Sequence, residues 1–354
     1  MISSFILSFI LFISLQPSTF AKAQVPTNIS ETNSSEAQFF IPTTVSKEAQ
    51  EILKGFGMDT PTVGTPEPDD IEGWNELNQQ LSPMFMQTSQ PIVENYQPDI
   101  TATKVGDVNV LDVKPKGWRD NGKVLVYVHG GGYTLLDANS TLGNPAIVAN
   151  STGLRVISVD YSLAPLSKWN HTTSEVASVI QALKDQGYSL DDIAMYGDSA
   201  GGGLAAGSVL KMRDEGIGMP AALVLWSPWM DVTGIGDTYS TLRNADPLIP
   251  EMTMLENMAN AYANISDQKN PYVSPVYGNF SNGFPPTLIQ GGTKEMILSD
   301  FVRLYQALDQ ASIPVKLDIY EGMPHVFQVF FHKTTESNIA LSKTDQFLKE
   351  YLGY

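Results

Sequence analysis

Two periods of apolar spacing take turns along this chain. Short runs rich in β-branched residues recur at Lys123 to Val128, Arg155 to Val159, Ile193 to Tyr196, Ala222 to Trp226, Thr287 to Gln290 and Val315 to Tyr320. Runs of that length and composition, bounded by turn residues, predict buried strands. Between them lie segments of helical character: Ser174 to Asp185, the stretch opening at Ala200, Ser299 to Gln310, and Glu336 to Leu352. Alternating valines from Ala102 to Val113 predict an antiparallel hairpin at the edge of the sheet. Strand alternating with helix predicts an α/β fold, with a mostly parallel central sheet covered by helices on both faces. Two stretches break the alternation. Ser46 to Tyr96 carries short helical patterns broken by proline and glycine, and Asp231 to Asn270 holds a methionine-rich helical segment, Glu251 to Met258. The sequence has no internal repeat.

The strand ending at Tyr196 runs into Gly197-Asp198-Ser199-Ala200-Gly201 and then into a helical stretch. Strand, glycine-flanked turn and helix are the setting in which a serine hydroxyl is pushed out at the end of a sheet. The strand ending at Val128 runs into His129-Gly130-Gly131-Gly132. Glycines there leave main-chain N–H groups uncovered, so Gly131 and Gly132, with Ala200 after the serine, are the candidate donors to an oxyanion.

A serine hydroxyl needs a base, and the chain has four histidines: His129, His171, His325 and His332. His129 belongs to the glycine loop and supports its shape. His171 lies in a polar stretch and reads as a surface residue. His332 follows an aromatic run without a partner signal. His325 lies on a loop after the last predicted strand, where it can reach back to Ser199, and an imidazole titrates near neutrality. Activity is then expected to fall below about pH 6 as His325 takes a proton. The orienting acid should lie between nucleophile and histidine in this chain order. The loop after Thr287 to Gln290 offers Glu295 and Asp300, and Asp246 precedes that strand.

His129 to Tyr133 (HGGGY), Asp160 to Pro165 (DYSLAP), Gly197 to Gly202 (GDSAGG), Ser227 to Thr233 (SPWMDVT) and Gly322 to Gln328 (GMPHVFQ) occur in one order along the chain. In these stretches the chain resembles the hormone-sensitive-lipase-like family of α/β-hydrolases. The resemblance implies the α/β-hydrolase fold with a helical cap, and a serine esterase of short- to medium-chain carboxylic esters. Many members of that family carry their acid in a D-P-L string after the corresponding strand; others read E-x-L-L-x-D. The stretch from Glu295 to Asp300 matches the second form, with Ile297 where leucine often stands. By that resemblance Glu295 is the acid; Asp300 reads as a carboxylate at the start of a helix, and Asp246, whose D-P-L string comes before the strand, as a loop or cap residue. The same residues could serve a lipase, a lactone hydrolase or an amide hydrolase. A non-catalytic small-molecule receptor is the further alternative; the plant gibberellin receptors resemble these esterases but lack the triad histidine.

The chain divides into a signal peptide (1–23), a leader and N-terminal cap segment (24–99), and a catalytic core (100–354) with a cap insertion at about 231–270, the cap being what the resemblance implies. Ile2 to Leu15 is almost continuously apolar, and Ala21-Lys22-Ala23 offers a cleavage site before Gln24. No basic residue precedes the run, and it is short for a span of about 20 residues. The reading is a secreted or extracytoplasmic protein with no stable membrane span after cleavage. Seven N-x-S/T triplets, at Asn28, Asn33, Asn139, Asn150, Asn170, Asn264 and Asn279, add candidate glycosylation sites. One face of the methionine-rich segment, with Met84, Phe85 and Met86, is expected along the acyl pocket.

Composition narrows the remaining possibilities. A chain of 354 residues with 42% hydrophobic content can bury a large core. A balance of 21 basic against 38 acidic residues gives a net charge of −17, which argues against nucleic acid and anionic membranes as partners. The expected partner is a small-molecule ester. Zero cysteines exclude a thiol nucleophile and any thiolate metal site. No string in the sequence signals a metal or an organic cofactor, and none sets the oligomeric state.

Overall fold

The computed structural model describes residues 40–56, 64–249 and 251–354. The apolar leader, its cleavage site and the triplets at Asn28 and Asn33 lie outside the described residues. The other five triplet asparagines are all exposed. Among the described residues, no helix is long and apolar enough to cross a membrane.

Helices α1 (Lys47–Gly55) and α2 (Ile71–Tyr96) precede the hairpin of β1 (Asp99–Val105) and β2 (Val108–Lys114). Then come β3 (Val124–Val128), α3 (Gly143–Thr152), β4 (Arg155–Val159), α4 (Trp169–Asp185), β5 (Ile193–Asp198), α5 (Ala200–Asp214) and β6 (Ala222–Trp226). Helix α6 (Met252–Tyr262) lies in the insertion ahead of β7 (Thr287–Gly292), α7 (Leu298–Gln310), β8 (Val315–Tyr320) and α8 (Thr335–Leu352). The eight strands form one sheet in the order β1-β2-β4-β3-β5-β6-β7-β8. β2 pairs antiparallel with β1 and β4, and the other neighbours pair parallel. The predicted α/β fold and edge hairpin are therefore present.

The strand period sorts side chains onto two faces. Val124, Val126 and Val128 of β3 pack with Val176 and Ile180 of α4 and Leu204 and Val209 of α5. Leu125 and Tyr127 point the other way, into a cluster with Ile147 of α3 and Leu348 of α8. Every position of β3, β5 and β6 is buried, as parallel strands covered on both faces require.

Three elements depart from the sequence reading. The pattern from Ser46 to Tyr96 was expected to break at its prolines, yet α2 runs through Pro83 and Pro91 for 26 residues. Both prolines are exposed, on the solvent side of the helix. Helix α3 had no predicted counterpart. It is buried on nearly every side, so it shows no amphipathic period to read. Of the stretch expected in the cap, α2 borders the pocket, whereas α1 packs beside the loop after β8. There Val45, Ala49 and Leu53 meet Tyr320, Met323 and Phe327.

Candidate active site

The loops that follow β3, β5, β7 and β8 all leave the carboxyl ends of parallel strands. This is where open α/β sheets build ligand sites. β5 ends at Asp198 and α5 begins at Ala200, so Ser199 takes the whole turn, at φ 54° and ψ −127°. Such a backbone costs about 1–3 kcal/mol for a residue with a Cβ and persists only when its surroundings over-determine it. Main-chain bonds at 2.9 Å do so, from the Ser199 N–H to the Trp226 carbonyl and from the Trp229 N–H to the Ser199 carbonyl. Two residues on, a Cβ at Gly201 would run into the carbonyls of Val128 and His129. Glycine there lets α5 start hard against the loop after β3.

That loop carries the second motif. Gly131 and Gly132 have φ of 110° and 63°, a region that side chains rarely enter. Among the described residues, no hydrogen-bond acceptor takes the N–H of Gly131, Gly132 or Ala200. Ala200 follows Ser199 in the chain, and Gly131 and Gly132 line the same cavity as the serine. His129 beneath them is buried, donates from Nδ1 to the Gly130 carbonyl at 2.7 Å and stacks on Tyr161 at 4.2 Å. Burial lowers its pKa. It is a neutral brace for the loop.

His325 lines the same cavity as Ser199, so the structure brings the predicted nucleophile and base together. The Nδ1–H of His325 donates to Glu295 Oε2 at 2.8 Å. That bond fixes the tautomer and leaves Nε2 with its lone pair, the atom a general base uses. The hydrogen bond of the ring runs to Glu295 and none runs to Ser199. Glu295 is fully buried; its Oε1 accepts from the Gly292 N–H at 2.6 Å and the Ser227 hydroxyl at 2.8 Å. Burial by itself would lower the His325 pKa. The bond to Glu295 and its charge, with Asp246 and Asp198 behind them, raise it above its ordinary value.

The other candidates divide. Asp300 is buried at the start of α7 and accepts from the Met230 and Asp231 N–H groups at 3.0 and 2.9 Å and from the Tyr239 hydroxyl at 3.1 Å. Burial pushes its carboxyl up to about 8. It holds the turn carrying Trp229 and makes no contact with His325. His171 is exposed, 3.5 Å from Glu175, and His332 bonds the Val329 carbonyl. Asp246 is closer to the chemistry than its cap assignment implied, since its Oδ2 accepts the main-chain N–H of His325 at 2.9 Å. Ser227 is a further residue the sequence reading left without a role. Its hydroxyl accepts the Val326 N–H at 2.9 Å while donating to Glu295.

The cavity measures about 300 Å³, at the small end for a small-molecule site. Phe85 of α2, Trp229, Leu248, and Met254, Leu255 and Met258 of α6 make most of its wall apolar. Of the three residues expected from α2, Phe85 borders the cavity and Met86 is exposed. Among the described residues, one group has metal-ligating spacing. Single ligand atoms of Asp246, Glu295 and His325 lie within 4.8 Å of one another. The His325–Glu295 hydrogen bond already commits two of the three.

Residues 125–329 match the sequence profile of the α/β hydrolase fold. An acetyl-hydrolase of Streptomyces hygroscopicus is 31% identical over 249 residues, covering 70% of this chain and 82% of that one. The crystal structure of an esterase/lipase from an uncultured bacterium superposes with a TM-score of 0.76 at 26% identity, over 87% of this chain and 100% of the other. That of an esterase from the bacterial hormone-sensitive lipase family superposes with a TM-score of 0.75 at 26% identity, over 87% and 99%.

Proposed function

This chain belongs to the hormone-sensitive-lipase-like α/β-hydrolases and is a carboxylic ester hydrolase; on that premise, we propose that it cleaves short- to medium-chain esters through an acyl-enzyme on Ser199. The observation that carries the reading is one cavity lined by both Ser199 and His325, with the imidazole anchored to buried Glu295 at 2.8 Å.

In this reading the Ser199 hydroxyl attacks the ester carbonyl while His325 Nε2 takes its proton. Glu295 holds the ring and stabilises the imidazolium without itself becoming protonated. Negative charge gathers on the former carbonyl oxygen, and the N–H groups of Gly131, Gly132 and Ala200 receive it. The tetrahedral adduct collapses, the C–O bond to the alcohol breaks, and His325 returns the proton to the departing oxygen. Water then attacks the acyl-enzyme by the same steps, releasing the carboxylic acid and regenerating the serine.

The small apolar cavity supports short acyl chains. A panel of p-nitrophenyl esters from acetate to palmitate, run on wild type and Ser199→Ala, tests this. Turnover of acetate and butyrate, weak turnover of palmitate and loss of both in the variant are expected. A preference for palmitate would make the protein a lipase, and no turnover of any ester would make it a receptor. We also propose an extracytoplasmic setting with glycosylation in a host that supports it. The apolar N-terminus and the five exposed triplet asparagines support that reading.

A further inference from the structure

We propose that Asp246, carried on the pocket-covering insertion, is a positioning residue for His325, holding its main chain in register with Glu295 and setting a second negative charge beside the imidazolium. This rests on the triad reading above and extends it to a carboxylate outside the triad.

The loop that carries the base is strained. Val326, the next residue, has φ 51° and ψ 38°, a left-handed backbone that β-branched residues very rarely adopt. Strain of this kind is kept only where neighbouring contacts leave no alternative. Two side chains supply those contacts on successive amides. The His325 N–H donates to Asp246 Oδ2 and the Val326 N–H to Ser227 Oγ, both at 2.9 Å. Ser227 in turn donates to Glu295, so the second pin is tied to the acid itself. The first comes from a different part of the molecule. Asp246 Oδ1 accepts the Leu248 N–H at 2.9 Å, closing a tight turn over Pro247. Pro247 and Leu248 border the cavity. One buried carboxylate therefore ties the pocket wall to the backbone of the base.

Its charge matters as well as its shape. The groups facing Asp246 are His325 and Glu295, the Lys294 ammonium, which bonds the Phe40 carbonyl, and Asp198 beyond the ring. Burial and the nearby Glu295 push the Asp246 carboxyl up to about 7, while His325 draws it down. The charge of each therefore acts on the other: the imidazolium draws the Asp246 carboxyl down and the carboxylate raises the imidazole. In the forward step the ring becomes cationic between two carboxylates, and both oppose its loss of charge. Asp246 reaches the peptide N–H and not the ring, so it positions the base and does not replace Glu295.

The test is the pH dependence of kcat and KM on p-nitrophenyl butyrate for wild type, Asp246→Asn and Asp246→Ala, alongside thermal melts. Asparagine keeps one acceptor, for the His325 N–H, removes the charge and leaves the Leu248 N–H without its acceptor. Its acid limb should move to lower pH by about one unit, in a variant whose melt shows it still folded. Alanine removes both, and kcat should fall on the order of tenfold to a hundredfold with KM near wild type. If the alanine variant does not fold, the asparagine profile decides alone. An unmoved limb in Asp246→Asn would overturn the proposal, as would wild-type kcat in a folded Asp246→Ala. Glu295→Gln and Ser199→Ala run beside them separate the two readings. If those two are inactive and the Asp246 variants are normal, only the role of Asp246 fails; if they remain active, the triad fails.

Discussion

At the scale of single residues, the account turns on which nitrogen of His325 is free. Nδ1–H is committed to Glu295, so in the proposed mechanism Nε2 is the proton acceptor, and the ring must be neutral to act. The net effect of its surroundings raises the His325 pKa above its ordinary value of about 6.5. The fall in kcat/KM on acidification should therefore be centred above that value, and not near pH 6 as the sequence alone implied. Removing the Glu295 charge reverses the shift. Glu295→Gln should move the limb down and cut kcat by about 10⁴, measured as a pH profile on a p-nitrophenyl ester. An unchanged limb would remove Glu295 from its role. Ser199 and His325 stood out because each sits in a short string whose neighbours define its setting, and Glu295 was chosen among three carboxylates only by the family resemblance. Asp246 and Ser227 did not stand out. Their partners lie 79 and 99 residues along the chain, and only folding brings them to the histidine loop.

At the scale of elements, helix α6 grips the glycine loop after β3, the loop proposed to hold the oxyanion. Tyr262 stacks on Tyr133 with ring centres 3.7 Å apart, and one turn earlier Met258 packs against Gly132. A Cβ on Gly132 would run into the Met258 sulfur, and the φ of 63° would be strained besides. Gly132→Ala should displace an oxyanion donor and lower kcat by about a hundredfold. KM should change little, since the substrate's apolar contacts remain; steady-state kinetics on the folded variant checks both. Near-normal kcat would mean that this amide does not face the reacting carbonyl. The strands were readable because each is a short apolar run between turn residues. Helix α3 was not, because a helix buried on nearly every side carries no periodic signal. Helix α2 was misread because proline usually ends a helix, whereas here both prolines stand on the solvent side.

For the whole molecule, the sheet order is what converts four separate loops into one site. The alternation of strand and helix made a covered, mainly parallel sheet legible. The order β2-β4-β3-β5 was not, since it depends on which strands pair across the sheet. That crossing sets the glycine loop after β3 beside the serine turn after β5, while the loops after β7 and β8 bring Glu295 and His325 from the other side. The net charge of −17 is compatible with a neutral ester entering an apolar cavity. The most direct measurement on the central claim is peptide mapping by mass spectrometry after treatment with diethyl p-nitrophenyl phosphate. A single diethylphosphoryl group on the peptide holding Ser199, with loss of esterase activity and no labelling in Ser199→Ala, is predicted. A stable label on any other residue, or full inactivation of wild type without modification of Ser199, would contradict it.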